Sequence, residues 1–296
     1  MSRLILPTLL LSLACASAPP LEPALAAGVD PIVDAAAADG KLIAVAFTDL
    51  ETGATYGRNE DVVVHAASTM KVPVMLALFE AIDRGELRVD QPVAVRNEFR
   101  SIVDGSPFVL YANEDGDPEL YEHVGGTMPL EELMRRMIVR SSNLATNLLI
   151  ELVGPPRVMD LVRRLGAERM LVLRGVEDEK AYEAGLSNVT SARDLLLVMK
   201  AIAERKAISP DASRRMLAIL EAQEFRGKIP AGLPAGVRVA NKTGNITRIS
   251  HDAAIVFPPG REPYVLVVLT RGYDDGDEAA ERIAAVSRAV WESLPR

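Results

Sequence analysis

The chain has 296 residues, of which 49% are hydrophobic and 25% charged, as is usual for a globular protein of one large domain or two interleaved lobes. Acidic residues outnumber Lys and Arg by 41 to 33, and the net charge of −8 makes sequence-independent binding to nucleic acid a poor hypothesis. A single cysteine excludes an intrachain disulfide, and three scattered histidines do not suggest a zinc site. We therefore expect a small-molecule partner, no metal and no other cofactor.

The first 26 residues have the pattern of a signal peptide. Arg3 precedes an apolar run over residues 4–14 that is too short for a stable membrane anchor, and Ala24-Leu25-Ala26 resembles a cleavage site. We expect a domain over residues 27–296 that is periplasmic or secreted, monomeric and without a stable membrane span. Two alternatives are a buried N-terminal helix and lipid attachment at Cys15, whose preceding residues fit a lipoprotein site poorly.

Strands are predicted near both ends of the chain. Residues 41–48 and 54–57 form the first two, and three more follow late, over 237–242, 251–257 and 264–270. From Thr69 to Ile82 apolar residues recur at helical spacing, and Pro73 lies in the first turn, where its missing N–H is harmless. Residues 88–128 are expected to be an elaborated irregular region that shapes the rim of a cleft.

Helices are predicted through the middle of the chain and at its end. Their ranges are 129–165 with breaks at 140–143 and 154–156, then 190–205, 210–222 and 277–293, with a loop over 171–188. The fold class is therefore α+β, with an antiparallel sheet lobe formed by both termini and a helical lobe inserted between them. The seam between two such lobes is a common place for a small-molecule site.

Ser68 and Lys71 lie three residues apart at the start of the first predicted helix, and so share one face of it. A Lys buried beside a Ser can lose its proton near neutral pH and then accept the hydroxyl proton. The alternative is a helix cap beside a solvated Lys. The apolar run that follows over residues 72–78 favours burial.

Two further motifs carry polar groups suited to a binding site. Lys242-Thr243-Gly244 ends a predicted strand, where a cation and a hydroxyl can bind a carboxylate and Gly244 allows close approach to the backbone. Ser141-Ser142-Asn143 interrupts two helices and can present its side chains to the seam. Helix capping by Ser and Asn explains that second motif equally well.

The three motifs in this order resemble the S-x-x-K, S-D-N and K-T-G set of class A β-lactamases and penicillin-binding proteins. The resemblance covers about residues 30 to 295 and implies a serine hydrolase that opens β-lactam amides through an acyl-enzyme. The same resemblance allows a D-alanyl-D-alanine carboxypeptidase or related hydrolase acting on peptidoglycan stem peptides. A catalytically silent binding protein that keeps the cleft is the third possibility.

The resemblance implies catalytic roles for four residues. Ser68 is expected to be the acylated nucleophile, with Lys71 as its base or proton relay. Ser141 is expected to pass a proton to the leaving nitrogen, and Glu177 to activate the deacylating water.

The resemblance also implies a substrate-binding set. Asn143 is expected to hold the amide of the substrate side chain, and Lys242 and Thr243 to bind its carboxylate beside Gly244. The backbone N–H groups of Ser68 and Asn245 are expected to form the oxyanion hole, in which one lost donor costs about 3 kcal/mol of transition-state stabilisation.

This sequence departs from the family pattern at two of the positions considered. Ser142 replaces the usual Asp of the middle motif, and Asn188 replaces an Asp expected to pair with Arg174. The position of Glu177 is uncertain by one residue, so a solvated loop carboxylate is the alternative, with Asp178, Glu179 and Glu183 as competing bases.

A Ser-His-Asp relay through His251-Asp252 is disfavoured. Adjacent residues in a strand point to opposite faces, so these two side chains are not expected to form a relay.

Overall fold

The computed structural model describes residues 21–295, and its strands are β1 (Leu42–Asp49), β2 (Thr55–Arg58), β3 (Val64–His65), β4 (Pro92–Ala94), β5 (Phe99–Arg100), β6 (Pro107–Phe108), β7 (Thr127–Pro129), β8 (Val189–Thr190), β9 (Arg238–Ile246), β10 (Ile249–Phe257) and β11 (Tyr264–Arg271). Five of them form one antiparallel sheet in the order β2-β1-β11-β10-β9. The first long strand, β1, pairs with the last, β11, from Leu42 opposite Arg271 to Asp49 opposite Tyr264. A sheet built by both termini, as predicted, is therefore confirmed.

The helices are α1 (Leu21–Ala38), α2 (Lys71–Asp83), α3 (Leu130–Val139), α4 (Asn143–Val153), α5 (Pro155–Arg164), α6 (Glu179–Glu183), α7 (Ala192–Ala203), α8 (Pro210–Glu221) and α9 (Gly276–Ser293). Short 3₁₀ turns cover 67–70, 112–114, 118–123 and 229–232. Most of the helices lie between β2 and β9 in the chain, which confirms the predicted helical insertion.

Both faces of the central sheet are buried, each against its own hydrophobic core. Alternate residues of each strand point to opposite faces, so every strand contributes to both cores. In β10, Ala253 and Ile255 join the hydrophobic core of the helical lobe, whereas Ala254 and Val256 join a second core on the other face. That second core is closed by α1 and α9, which pack against each other. The double burial explains why these strands read as continuous apolar runs.

Helix α2 runs through the middle of the helical lobe. Ten of its thirteen residues are buried, including every residue from Lys71 to Phe79. It packs against α4, α5 and α8, so its apolar residues face neighbours on all sides. The predicted burial of the run after Lys71 is confirmed.

Two predicted boundaries differ from the structure. Strand β9 continues past Lys242 to Ile246, so Lys242-Thr243-Gly244 lies inside an edge strand and not at its end. The predicted loop over 171–188 contains the one-turn helix α6, capped by Asp178, whose side chain accepts a hydrogen bond from Ala181 N–H. The region 88–128 is irregular as expected, although it includes the short pairs β4–β7 and β5–β6.

Helix α1 includes the predicted cleavage site. Leu21 and Leu25, which precede the expected mature start at residue 27, are buried in the core shared with α9. The Ser293 hydroxyl also donates to the carbonyl of Ala24 at 3.1 Å. The buried N-terminal helix considered as an alternative is therefore present from residue 21, while cleavage stays a prediction and Cys15 lies outside the described residues. No helix within residues 21–295 is long and apolar enough to cross a membrane.

Candidate active site

Ser68 lies in the 3₁₀ turn 67–70, which leads directly into α2. This turn packs against strand β9 at Gly244. A Cβ placed on Gly244 would lie 3.0 Å from the backbone nitrogen of Ser68 and 3.1 Å from the Cβ of Ala67, so a larger residue would push the two segments apart. The Ser68 N–H is thereby held beside the strand that carries Asn245.

Lys71 is completely buried and points at the middle motif. Its Nζ donates to the Ser141 carbonyl at 2.6 Å, to Asn143 Oδ1 at 2.8 Å and to Ser141 Oγ at 3.2 Å. Burial lowers the pKa of Lys71 to about 7, against the opposing charges of Asp115 and Glu177. A large neutral fraction is therefore available near pH 7. Within the described part of the chain, no hydrogen bond joins this amine to the Ser68 hydroxyl.

The Ser141 hydroxyl lies between two buried lysines. Its Oγ is 3.2 Å from Lys71 Nζ and 3.0 Å from Lys242 Nζ. Burial holds the pKa of Lys242 well below its usual range, and the charge of nearby Lys71 lowers it further. A hydroxyl that accepts from two amines with lowered pKa values can receive a proton from either one as it gives up its own.

Asn143 connects Lys71 to Glu177. Its Oδ1 accepts from Lys71, and its Nδ2 donates to Glu177 Oε1 at 3.0 Å. Glu177 is exposed to the cleft, but the atoms packed around its carboxylate partly remove its hydration and raise its pKa, while the charge of Lys71 opposes that rise. Glu177 also has a φ of 60°, a left-handed conformation that is uncommon for a residue with a side chain and is often found at functional sites.

The competing carboxylates differ from Glu177 in what they contact. Asp178 is buried and caps α6, and its second oxygen accepts from Ile102 N–H at 2.9 Å. Glu179 and Glu183 are exposed, as Glu177 is, so exposure does not separate these three. Of these four carboxylates in the described loop, Glu177 is the one hydrogen-bonded to Asn143.

The loop before Glu177 is fastened by Asn147 of α4. The side chain of Asn147 accepts from Val176 N–H at 2.6 Å and donates to the Val176 carbonyl at 3.0 Å. Gly175 passes so close that a Cβ there would lie 2.2 Å from Asn147 Oδ1. This contact fixes the backbone immediately before Glu177.

A cleft of about 910 Å³ brings these parts together. Ser68, Asn143, Glu177 and Asn245 line it, and the region 88–128 contributes part of the wall, with Phe108, Tyr111 and Tyr121 among the lining residues. Lys71, Lys242 and Thr243 are buried behind this lining. A second cavity of about 840 Å³, beside α9 near Arg261 and Trp291, contains none of the predicted site residues.

A family model described as the β-lactamase enzyme family matches residues 24–294, which is most of the chain. The chain belongs to the β-lactamase family. It is 27% identical to a β-lactamase of Streptomyces albus G, over 87% of this chain and 81% of that one. Its fold matches a β-lactamase from Sphaerobacter thermophilus with a TM-score of 0.77 at 28% identity, over 90% and 96% of the two chains. It also matches a mutant of PBP-A solved as an acyl-enzyme complex with penicillin G, with a TM-score of 0.77 at 26% identity, over 91% and 96%.

In this β-lactamase-family chain, Arg174 and Asn188 hold their loop through hydrogen bonds to backbone groups. Asn188 Oδ1 accepts from the N–H groups of Leu173 and Arg174 at 2.7 and 3.2 Å, and its Nδ2 donates to the Arg174 carbonyl at 2.9 Å. The Arg174 guanidinium donates instead to the carbonyls of Leu186 and Gly175. Backbone acceptors thus take the place of the carboxylate that the family resemblance led us to expect.

Lys228 is a site-adjacent residue that sequence reasoning missed. It is buried, and its Nζ donates to Asn245 Oδ1 at 2.7 Å and to the His251 carbonyl at 3.0 Å. Burial lowers its pKa to about 8, against the charge of Asp252. Lys228 lies in the irregular segment between α8 and β9 and belongs to no recognised motif, so the sequence does not indicate that it lies near the site.

His251 and Asp252 point to opposite faces of β10, as expected. The His251 Nδ1 lies 2.7 Å from the Ser250 carbonyl and 3.1 Å from Thr270 N–H, and Nε2 lies 2.9 Å from the His65 carbonyl, so the ring is held entirely by backbone groups. Asp252 instead accepts from Asn241 and from Ile229 N–H. Within residues 21–295, no three His, Cys, Asp or Glu side chains converge as a metal site would require.

Proposed function

We propose that the protein is a serine β-lactamase, exported from the cytoplasm, that opens β-lactam amides through an acyl-enzyme on Ser68. The observation that carries this proposal is the Ser141 hydroxyl held between Lys71 and Lys242 beside the cleft that Ser68 lines. Membership of the β-lactamase family and relatives named β-lactamase support it.

In the proposed acylation, neutral Lys71 accepts the proton of the Ser68 hydroxyl as Oγ attacks the lactam carbonyl. The N–H groups of Ser68 and Asn245 stabilise the oxyanion. The lactam C–N bond then breaks, and Ser141 donates its proton to the leaving nitrogen while one of its two lysine partners replaces it. Lys242 and Thr243 bind the substrate carboxylate, whose negative charge raises the pKa of Lys242 and so favours its protonated form.

In the proposed deacylation, Glu177 accepts a proton from water as the water attacks the ester carbonyl. As the ester bond to Ser68 breaks, the proton that Glu177 took from the water passes to the leaving Ser68 oxygen, which restores both the Ser68 hydroxyl and the Glu177 carboxylate. A carboxylate is a better base when its pKa approaches the working pH, and partial loss of hydration moves the pKa of Glu177 in that direction.

A D-alanyl-D-alanine peptidase is the second candidate. The observation that favours it is that Asn147 binds the backbone of Val176, one residue before Glu177. The loop position fixed by Asn147 therefore carries an apolar side chain and no carboxylate. If Glu177 does not reach the water, the penicilloyl group stays on Ser68, and the natural substrate is then a peptidoglycan stem peptide. The likeness to PBP-A is consistent with that outcome.

The test follows colour and protein mass together while the purified protein is mixed with a chromogenic cephalosporin. We expect a transient mass increase on Ser68 with continuing colour release, and neither in Ser68→Ala. Glu177→Gln should trap the adduct, whereas the control Glu183→Gln, at an exposed position in the same loop, should turn over like wild type. Full activity in Ser68→Ala refutes the acyl-enzyme, and a long-lived wild-type adduct supports the peptidase instead.

A further inference from the structure

The carboxylate of Asp115 caps helix α4 from outside that helix. It accepts from the backbone N–H of Asn143 at 2.9 Å and of Leu144 at 2.8 Å, and from the Tyr121 hydroxyl at 2.9 Å. The first N–H groups of a helix have no partner within it and carry partial positive charge. Asp115 satisfies two of them through Oδ2, which also accepts from Tyr121, while its Oδ1 accepts from Asp117 N–H at 3.0 Å.

Gly116 packs against the residue that precedes Ser141. A Cβ on Gly116 would lie 2.2 Å from the carbonyl oxygen of Arg140, so any side chain at residue 116 would displace one of the two backbones. This close approach fixes the end of α3.

Asp117 anchors the same end of α3 by charge. It is completely buried and accepts from Arg136 Nη1 at 2.8 and 3.0 Å and from Arg140 Nη1 at 3.1 Å. Buried hydrogen bonds between charged groups are among the stronger polar contacts in proteins. Three consecutive residues, 115–117, therefore bind both flanks of Ser141, one flank through Arg140 and the other through Asn143.

Ser141 itself has an unfavourable backbone conformation. Its φ is 59°, and a non-glycine residue keeps such a value when the surrounding structure over-determines it. Ser142, the N-cap residue of α4, accepts from Ala145 N–H through its side chain but not from the two N–H groups that Asp115 binds. Residues 115–117 therefore hold the backbone on both sides of Ser141, which the motif Ser141-Ser142-Asn143 does not do by itself.

We propose that residues 115–117 position Ser141 and Asn143, with Asp115 as the principal positioning residue. Asp115 acts through the α4 N-terminus, and its loss lets Asn143 move away from Lys71 and Glu177. This proposal rests on the proposed function for its kinetic consequence, but the positioning itself is a property of the free protein.

The first test measures backbone protection without substrate, by amide hydrogen exchange in Asp115→Ala and in the milder Asp115→Asn. Exchange at Asn143 and Leu144 should accelerate by about tenfold or more, since two charge-assisted hydrogen bonds are lost. The matched control is Glu122→Gln, which removes one exposed charge from the same region. Unchanged exchange in both Asp115 variants, or equal acceleration in the control, overturns the proposal. If Asp115→Ala does not fold, Asp115→Asn decides.

The second test compares acylation by benzylpenicillin with acylation by the same bicyclic nucleus lacking an acyl side chain. If Asn143 is misplaced, the acylation rate should fall about tenfold or more with benzylpenicillin. The fall should be about three times smaller with the bare nucleus, which has no side-chain amide for Asn143 to bind. A general loss of folded protein would lower both rates equally and so refutes positioning. A wild-type protein that neither compound acylates contradicts the proposed function, and the exchange result still decides the positioning.

Discussion

Replacing Lys71 by Met should change how the free energy of unfolding depends on pH. The pKa of Lys71 falls from 10.5 to about 7 on folding, because the ammonium loses its hydration. Between these values the unfolded chain carries one proton more than the folded protein. Stability therefore rises with pH across this window. The free-energy cost of burying the charged ammonium is fully present below about pH 7.

The expected magnitude follows from one proton over the accessible part of that window. Each pH unit well above pH 7 contributes about 1.4 kcal/mol, and Lys71 is half protonated near pH 7, so wild type should gain about 2 kcal/mol of unfolding free energy relative to Lys71→Met between about pH 7 and about pH 9. Met retains the length and apolar character of the stem. The variant lacks the hydrogen bonds that Lys71 donates to Ser141 and Asn143. Their loss shifts the free energy of unfolding of the variant by an amount that is nearly constant with pH.

Urea unfolding at several pH values from about 6 to about 9 measures this difference. Lys206→Met is the matched control, because 72% of the Lys206 side chain is exposed and its removal leaves the burial of Lys71 unchanged. Parallel stability curves for wild type and Lys71→Met would refute the argument, since they would mean that Lys71 carries the same charge in both states.

Two further stability predictions concern packing and a buried ring. Gly175→Ala should destabilise the protein by about 2 kcal/mol in urea unfolding, because the new methyl group overlaps Asn147. The control Gly276→Ala should have little effect, because no atom lies within 4 Å of the new methyl group. Equal stabilities of the two variants would contradict this prediction. Burial lowers the pKa of His251 from 6.5 to about 4, so stability present above about pH 6.5 should fall by up to about 3 kcal/mol as the pH drops to about 4. His251→Gln should flatten that acid limb, and an unchanged limb would assign it to other groups.

Features that depend on neighbouring residues in the chain could be predicted well. The apolar run after Lys71 predicted a buried helix, and α2 is buried around nearly its whole circumference. The late apolar runs predicted three strands, and these are β9, β10 and β11. The predicted end of β9 is too early because Gly244 and Asn245 have weak strand propensity, while pairing with β10 extends the strand to Ile246.

Choosing among the acidic residues of the 174–183 segment required coordinates. Glu177, Asp178, Glu179 and Glu183 are chemically equivalent in a sequence, and what separates them is the partner each one meets. Asn143, 34 residues earlier, contacts Glu177. Spacing along a loop does not predict such a contact, because it depends on how the loop folds over α4.

The order of residue types along this chain determined that a hydroxyl and two amines were available in three short motifs, and that helices would fill the space between terminal strands. Tertiary structure alone decided that Lys71 and Lys242, 171 positions apart, would meet at one hydroxyl, that Lys228 would lie behind Asn245, and that residues 115–117 would hold both sides of Ser141. The reason is physical. Propensity and periodicity act over one or two turns of chain, whereas dehydration of an amine and closure of a backbone contact depend on every segment packed around them.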